Sequence, residues 1–299
     1  MTRENGINAS LPPLGPLSVG QCFALATIME ATVPKPGNIH RGADFEDASY
    51  PDFIVAATVV SPIIDLAAER PLGKTVLDSV AATRAAVATN TNLGTLLLVA
   101  PLAKVPAGVP LATGVADVLK SLTSQDTRDV YEAIRMAHPG GLGKVESADV
   151  AEAPPEDLIA AMRLAADRDL VARQYANEYQ DVFETVVPWI RAAVAAGPDL
   201  PAAIVHVHVQ LMARFPDSLI ARRCGTDIAL QSAARAQRVL DSGVPGDDAY
   251  DFGLSDLDFW LRADRHRRNP GTTADLIAAG LFVAIRDAII NPPYRIARL

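Results

Sequence analysis

The chain has 299 residues, 49% of them hydrophobic and 5% aromatic, with a formal net charge of −8 and a pI near 5.1. That length can bury one large core or two modest ones, and the acidic balance argues against nucleic acid as a general partner, because a duplex binder needs a basic face. Cys22 and Cys224 are the only cysteines, which suggests neither a disulfide framework nor a cysteine zinc site and makes the cytoplasm the default compartment.

From the start of the chain, residues 1–17 are expected to form a flexible lead-in, since the stretch up to Pro16 is rich in Pro and Gly and lacks a hydrophobic signal region. Helical spacing of apolar residues then predicts helices over 18–31, 52–68 with a break near Pro62, 75–89, 93–103, 115–122, 126–136 and 155–165. Further helices are expected over 169–195, 202–213, 218–223, 227–240, 256–267 and 274–290. Residues 204–209 alternate as a strand would, but one alternating run cannot build a sheet, so they are assigned to a helix. The apolar runs 53–68 and 276–290 do not reach the length of a membrane span, so no membrane partner is expected. With no repeat of fixed period and no long linker, 18–299 reads as a single all-α, bundle-like catalytic domain whose site is formed by inter-helix loops.

Two segments combine Pro and Gly with charged and amide side chains beside strongly apolar helices: residues 32–45 and residues 269–275. Such stiff polar loops on an apolar scaffold point to an enzyme acting on a phosphorylated ligand. In the first, Pro34 and Pro36 bracket Lys35 and limit the ordering entropy left to lose on binding, and Gly37 permits a turn. Just upstream, Ser18 is a plausible N-cap, and Val19, Cys22, Phe23, Ala26 and Glu30 share one helical face. A carboxylate on that buried face needs a partner, with Lys35, Arg41 and a metal ion as the candidates; the plainer alternative is a structural ion pair. In the second segment, Thr272 is placed to cap a central helix with Asp275 three residues on, as in a capping box. Asp275 is then either that capping carboxylate or a ligand of Mg²⁺ bridging to phosphate.

Three more constellations carry polar groups. Asn90, Thr91 and Asn92 interrupt two apolar helices and serve either as a cap or as hydrogen-bond partners of a nucleotide. Asp217 opens a short helix that closes with Arg222 and Arg223, one of which is expected to bind phosphate. Asp167, Arg168 and Asp169, followed by Arg173, Tyr175 and Tyr179, read as a solvated helix face with a satisfied tyrosine. The segment 138–144 ends like a phosphate-binding loop, but His138 replaces its first Gly and Val145 follows the Lys, so a Walker motif is rejected. His206 and His208 would diverge on a helix, which makes zinc binding there unattractive. The basic stretch from Arg262 to Arg268 adds some weight to phosphate binding beside Asn269.

Taken together, Glu30 with Pro34-Lys35-Pro36-Gly37, Asp44-Phe45, Asn90-Thr91 with Gly94, the segment from Asp217 to Gly225, and Pro270-Gly271 with Ala274-Asp275-Leu276 resemble the triphosphoribosyl-dephospho-coenzyme A synthases. The resemblance runs in order from Glu30 to Ile285. Asn92-Leu93 stands where better-known members carry His and Lys, and Thr272-Thr273 where they usually carry Gly-Ser, so the chain looks like a divergent branch. The resemblance implies transfer of the triphosphoribosyl group of ATP onto the 2′-hydroxyl of dephospho-coenzyme A with release of adenine. A reaction of that kind develops oxocarbenium character and needs a carboxylate near C1′ and cations on the triphosphate. It implies Glu30 or Asp44 as base or charge stabiliser, and Lys35, Arg41 and Arg222 on phosphates. Asn90, Asn269 and Thr272 would orient the nucleotide, and Asp217 and Asp275 would hold Mg²⁺. A related ribosyl transferase serving a pterin-type acceptor and a noncatalytic nucleotide-binding helical protein are the other readings, and a homodimer stays open.

Overall fold

The computed structural model describes residues 15–296 apart from 140–149, 151 and 198; most of the expected N-terminal lead-in and residues 140–144 of the rejected phosphate loop therefore lie outside the described residues. The described chain is an all-α single domain. Its helices are α1 (Val19–Thr32), α2 (Tyr50–Asp65), α3 (Leu72–Val87), α4 (Leu93–Lys104), α5 (Leu111–Lys120), α6 (Ser124–Ala137) and α7 (Leu158–Ala165). They continue as α8 (Leu170–Ala176), α9 (Val187–Ala195), α10 (Leu200–Arg214), α11 (Ser218–Cys224), α12 (Thr226–Asp241), α13 (Asp248–Arg262) and α14 (Gly271–Arg286).

Helix α14 is the hub. Thirteen of its 16 residues are buried, and it packs against α1, α4, α8, α9, α10 and α11. A helix apolar on every side can only be satisfied by neighbours on every side. Close approach is bought with glycine: a Cβ on Gly280 would lie 2.4 Å from Val186 Cγ1, and one on Gly20 of α1 would lie 2.1 Å from the Ser61 carbonyl of α2. A smaller second core, with Val209, Met212, Ile220, Val239, Tyr250 and Leu257, ties α10 to α11, α12 and α13.

Local chemistry explains where expectation and structure part. Ser18 caps α1 in a capping box with Gln21, as expected. Helix α2 runs through Pro62 to Asp65 without the expected break; the proline sits in the last turn, and Thr58, whose carbonyl it leaves free, lies on the exposed side. In α4, Pro101 cannot donate to the Leu97 carbonyl, and the buried hydroxyl of Tyr175 donates to it instead at 2.7 Å. Tyr179 donates to the neighbouring Leu98 carbonyl at 2.9 Å. To reach it, the chain leaves helical geometry at Glu178 and Tyr179, both with positive φ. The expected long helix over 169–195 is therefore split into α8, a π-helical turn (Val182–Val186) and α9. The last segment of the expected 256–267 helix is extended (Ala263–His266), while α13 starts earlier, at Asp248.

Candidate active site

The two Pro/Gly segments meet. Asn38 Nδ2 donates to Asn269 Oδ1 at 2.6 Å, and α13 clamps the first segment from below. Arg262 Nη2 donates to the Asn38 carbonyl at 2.6 Å, and the Gly37 amide donates to Asp258 Oδ1 at 2.8 Å. Gly37 has φ +73°, and a Cβ there would lie 2.8 Å from Leu261 Cβ and 3.0 Å from Pro270 Cδ, so both its backbone angle and its neighbours exclude a side chain. Above this junction opens a cleft of about 1130 Å³ bounded by α1, α4, α6, α7, α8, α11 and α14.

Its floor holds two carboxylates. Glu30, buried at the end of the α1 stripe, pairs with Lys35 Nζ at 2.9 Å. Lys35 is 0% exposed, and its ammonium also donates to the Glu30 carbonyl. Burial raises the Glu30 carboxyl and lowers the Lys35 ammonium, and their mutual attraction opposes both shifts. Asp275, one turn into α14, accepts one hydrogen bond among the described residues, from Thr95 Oγ1 at 2.8 Å. Its Oδ2 lies where a Cβ on Gly94 would be only 2.0 Å away. The carboxylate thus sits against the positive end of α4. Burial nevertheless pushes its pKa up to about 8, with Glu30 and Asp217 adding in the same direction.

The walls carry polar atoms without partners. Of the cleft-lining side chains, Thr27 Oγ1, Asn38 Oδ1, Thr91 Oγ1, Asn92 Nδ2 and Arg222 Nε are buried and make no hydrogen bond in the described structure. Buried polar groups are ordinarily satisfied, and these five orphans all belong to residues that line one cavity. Arg222 pairs with Asp169, whose Oδ1 caps α8 through the Val171 and Ala172 amides.

Six of the site residues expected from sequence line this cleft: Glu30, Asn90, Arg222, Asn269, Thr272 and Asp275. Lys35, Arg41, Asp44 and Asp217 are not among its lining residues. Lys35 points down into the protein, Arg41 is exposed, and Asp44 Oδ1 accepts from the Tyr50 amide at the start of α2. Asp217 is 1% exposed and fully engaged: Oδ1 accepts from the Leu219 and Ile220 amides, Oδ2 from the amide and hydroxyl of Thr273. Asp217 thereby caps α11 and α14 at once, and the expected Thr272 cap is absent, with Thr272 instead accepting from Ser218 Oγ at 3.0 Å. Of the basic stretch, His266 lines the cleft, stacked on Phe45 at 5.0 Å, while Arg262 braces the first loop.

Sequence reading left out Thr95, Asp169 and Thr27. Asp169 was assigned to a solvated face, and its neighbour Arg222 is 53 positions away, so no local pattern announces the pair. His206 and His208 diverge on α10: His206 Nδ1 lies 2.9 Å from Tyr250 Oη, and His208 is buried, with burial depressing its pKa strongly. Among the described residues no three His, Cys, Asp or Glu side chains gather as a metal cluster, and no helix is long and apolar enough to cross a membrane.

The sequence pattern of the family described as ATP:dephospho-CoA triphosphoribosyl transferase (CitG) matches residues 16–292. The crystal structure of a proposed triphosphoribosyl-dephospho-coA synthase from Archaeoglobus fulgidus superimposes with a TM-score of 0.61 at 24% identity, covering 78% of this chain and 97% of that one, which shows a shared fold. No curated protein sequence matches the chain.

Proposed function

The chain belongs to the ATP:dephospho-CoA triphosphoribosyl transferase family, and from that premise we propose which of its residues carry the transfer. The enzyme moves the triphosphoribosyl group of ATP onto the 2′-hydroxyl of dephospho-CoA: the new bond joins the 2′-oxygen to C1′ of the ATP ribose, the C1′–N9 bond breaks, and adenine leaves.

The observation that carries the assignment is that the carboxylates of Glu30 and Asp275 line one cleft together with residues bearing unpartnered polar atoms. Glu30, held by Lys35, takes the 2′-hydroxyl proton and offsets positive charge developing at C1′. Lys35 fixes Glu30 rather than touching phosphate. Arg222 meets the triphosphate, and Asn90, Asn269 and Thr272 orient the nucleotide. Asp44, Arg41 and Asp217 have no place in the reacting centre of this reading. Asp217 has spent its lone pairs on helix caps, which is the chemistry of a scaffold.

Asp275 suits a divalent cation. Among the described residues it has one hydrogen bond and no cationic partner, and burial raises its pKa, the signature of a group lacking countercharge. Mg²⁺, when bound, would neutralise charge on the polyphosphate. Asp275 is the protein group that would hold it, with the remaining positions left to phosphate oxygens and water. We place this chemistry in the cytoplasm, with residues 18–299 as one catalytic domain.

The test is direct. Pure protein with ATP, Mg²⁺ and dephospho-CoA is expected to release adenine, followed by chromatography, and chelation by EDTA is expected to stop it. Release only with a different acceptor, or unchanged release by Glu30→Gln and Asp275→Asn, overturns the assignment.

A further inference from the structure

The cleft has two unlike ends. One is the polar floor just described. At the other, α7 turns Leu158, Ala161, Met162 and Ala165 toward the opening, a spacing of three, four and seven that is one helical face. Helix α6 presents Tyr131 and Ile134 in the same way. Leu158 is 1% and Ala161 8% exposed although both line the cavity, so this end is a slot whose α7 wall is apolar and small at the alanines, while α6 adds Tyr131 and Arg135 beside Ile134.

Its volume exceeds what one nucleotide requires: ligand clefts commonly enclose about 300–1,000 Å³, and this one encloses about 1130 Å³. The orphaned hydrogen-bonding atoms among its lining residues are carried by Thr27, Asn38, Thr91, Asn92 and Arg222; none belongs to the α6 or α7 face. Bases, ribose and phosphates need such polar partners. The one part of the two reactants that is long and uncharged is the pantetheine chain of the acceptor, whose dimethyl and ethylene groups suit the α7 face while its two amides and hydroxyl meet the polar groups of α6.

Resting on the transferase reading, we propose that the α6–α7 slot binds the pantetheine arm of dephospho-CoA, so that the acceptor lies across the cleft with its ribose over Glu30. The slot is a binding subsite, remote from the bonds that change. It selects an acceptor bearing a pantetheine arm over a bare nucleotide.

Titration calorimetry with 4′-phosphopantetheine, dephospho-CoA and ATP separates this from the reaction itself. Ala161→Phe fills the slot from a buried wall, and Ala165→Trp fills it from a half-buried position that tolerates bulk. Each variant is expected to weaken binding of both pantetheine ligands about tenfold or more while ATP binding stays within about twofold. If 4′-phosphopantetheine does not bind the unmodified protein, if its binding survives in a variant that still binds ATP, or if the loss falls on ATP instead, the slot assignment is overturned. Adenine release by the unmodified protein tests the transferase reading separately: its absence, with pantetheine binding blocked as expected, sinks the reaction and leaves the slot standing.

Discussion

The segments 32–45 and 269–275 have similar compositions, and both reach the cleft, yet their principal charged groups, Lys35 and Asp275, face opposite ways. In the first, the one buried cation, Lys35, is turned inward to a carboxylate and two carbonyls. In the second, Asn269, Thr272 and Asp275 all border the cleft. The same contrast separates Asp217, which caps α14, from Asp275, one turn into it: among the described residues one accepts four hydrogen bonds, the other a single one. Polar residues whose valences are filled by their own protein build the site. Those left short of partners operate it.

Breaking the inward-facing side is expected to have the largest effect. Lys35→Met strands Glu30 as a buried, unpaired charge and is expected to cost about 3–5 kcal/mol in urea unfolding. Adding Glu30→Gln to that variant should restore most of the loss without restoring turnover; no recovery would mean the lysine has another structural duty.

Asp275→Asn tests the outward-facing side. It is expected to lower adenine release about 10²–10³-fold while leaving metal-free stability equal or improved. The sign follows from linkage: the folded protein holds the Asp275 proton up to pH about 8, whereas the unfolded chain releases it near the ordinary carboxyl value. Between those limits the unfolded state binds fewer protons, so this group lowers stability as pH rises. Thermal melts from pH 5 to 8.5 should therefore show a steeper fall for the natural protein than for Asp275→Asn, and parallel curves would refute the burial of an uncompensated carboxyl.

Asp217→Asn replaces an acceptor of two Thr273 donors with an amide and is expected to destabilise by about 1–3 kcal/mol, with ATP KM in the folded fraction little changed. A raised KM at unchanged stability would move Asp217 into the catalytic group. Smallest of all, Arg41→Ala, on an exposed side chain, is expected to shift ATP KM by less than about twofold and stability by under about 0.5 kcal/mol.

How much of this was legible in the sequence depends on the reach of each signal. Helices declared themselves because apolar spacing is local, and Ser18 with Gln21 caps within one turn. The interruption at Tyr179 did not, because its cause is a carbonyl some 81 positions away on α4. Glu30 was readable as a buried carboxylate in need of a partner, and Lys35 as a stiffly held cation. Which way the lysine faces was not readable, since two prolines fix a backbone but say nothing of what lies beneath it. Asp217 and Asp275 were indistinguishable for the same reason: the Thr273 donors that occupy Asp217 come from another helix, 56 positions on.

The place of α14 in the chain has a consequence for biogenesis. Among the described residues thirteen α-helices leave the ribosome before it, and the groove it will plug, walled by α1, α4, α9 and α10, stays greasy and unfilled until its 16 residues have been added. At translation rates of about 5–20 residues per second, the nascent chain spends on the order of a second or more with that groove open. The larger core and the catalytic floor are both incomplete before Asp275 and its helix arrive, which couples the birth of activity to the completion of folding and leaves apolar surface open to aggregation during this interval.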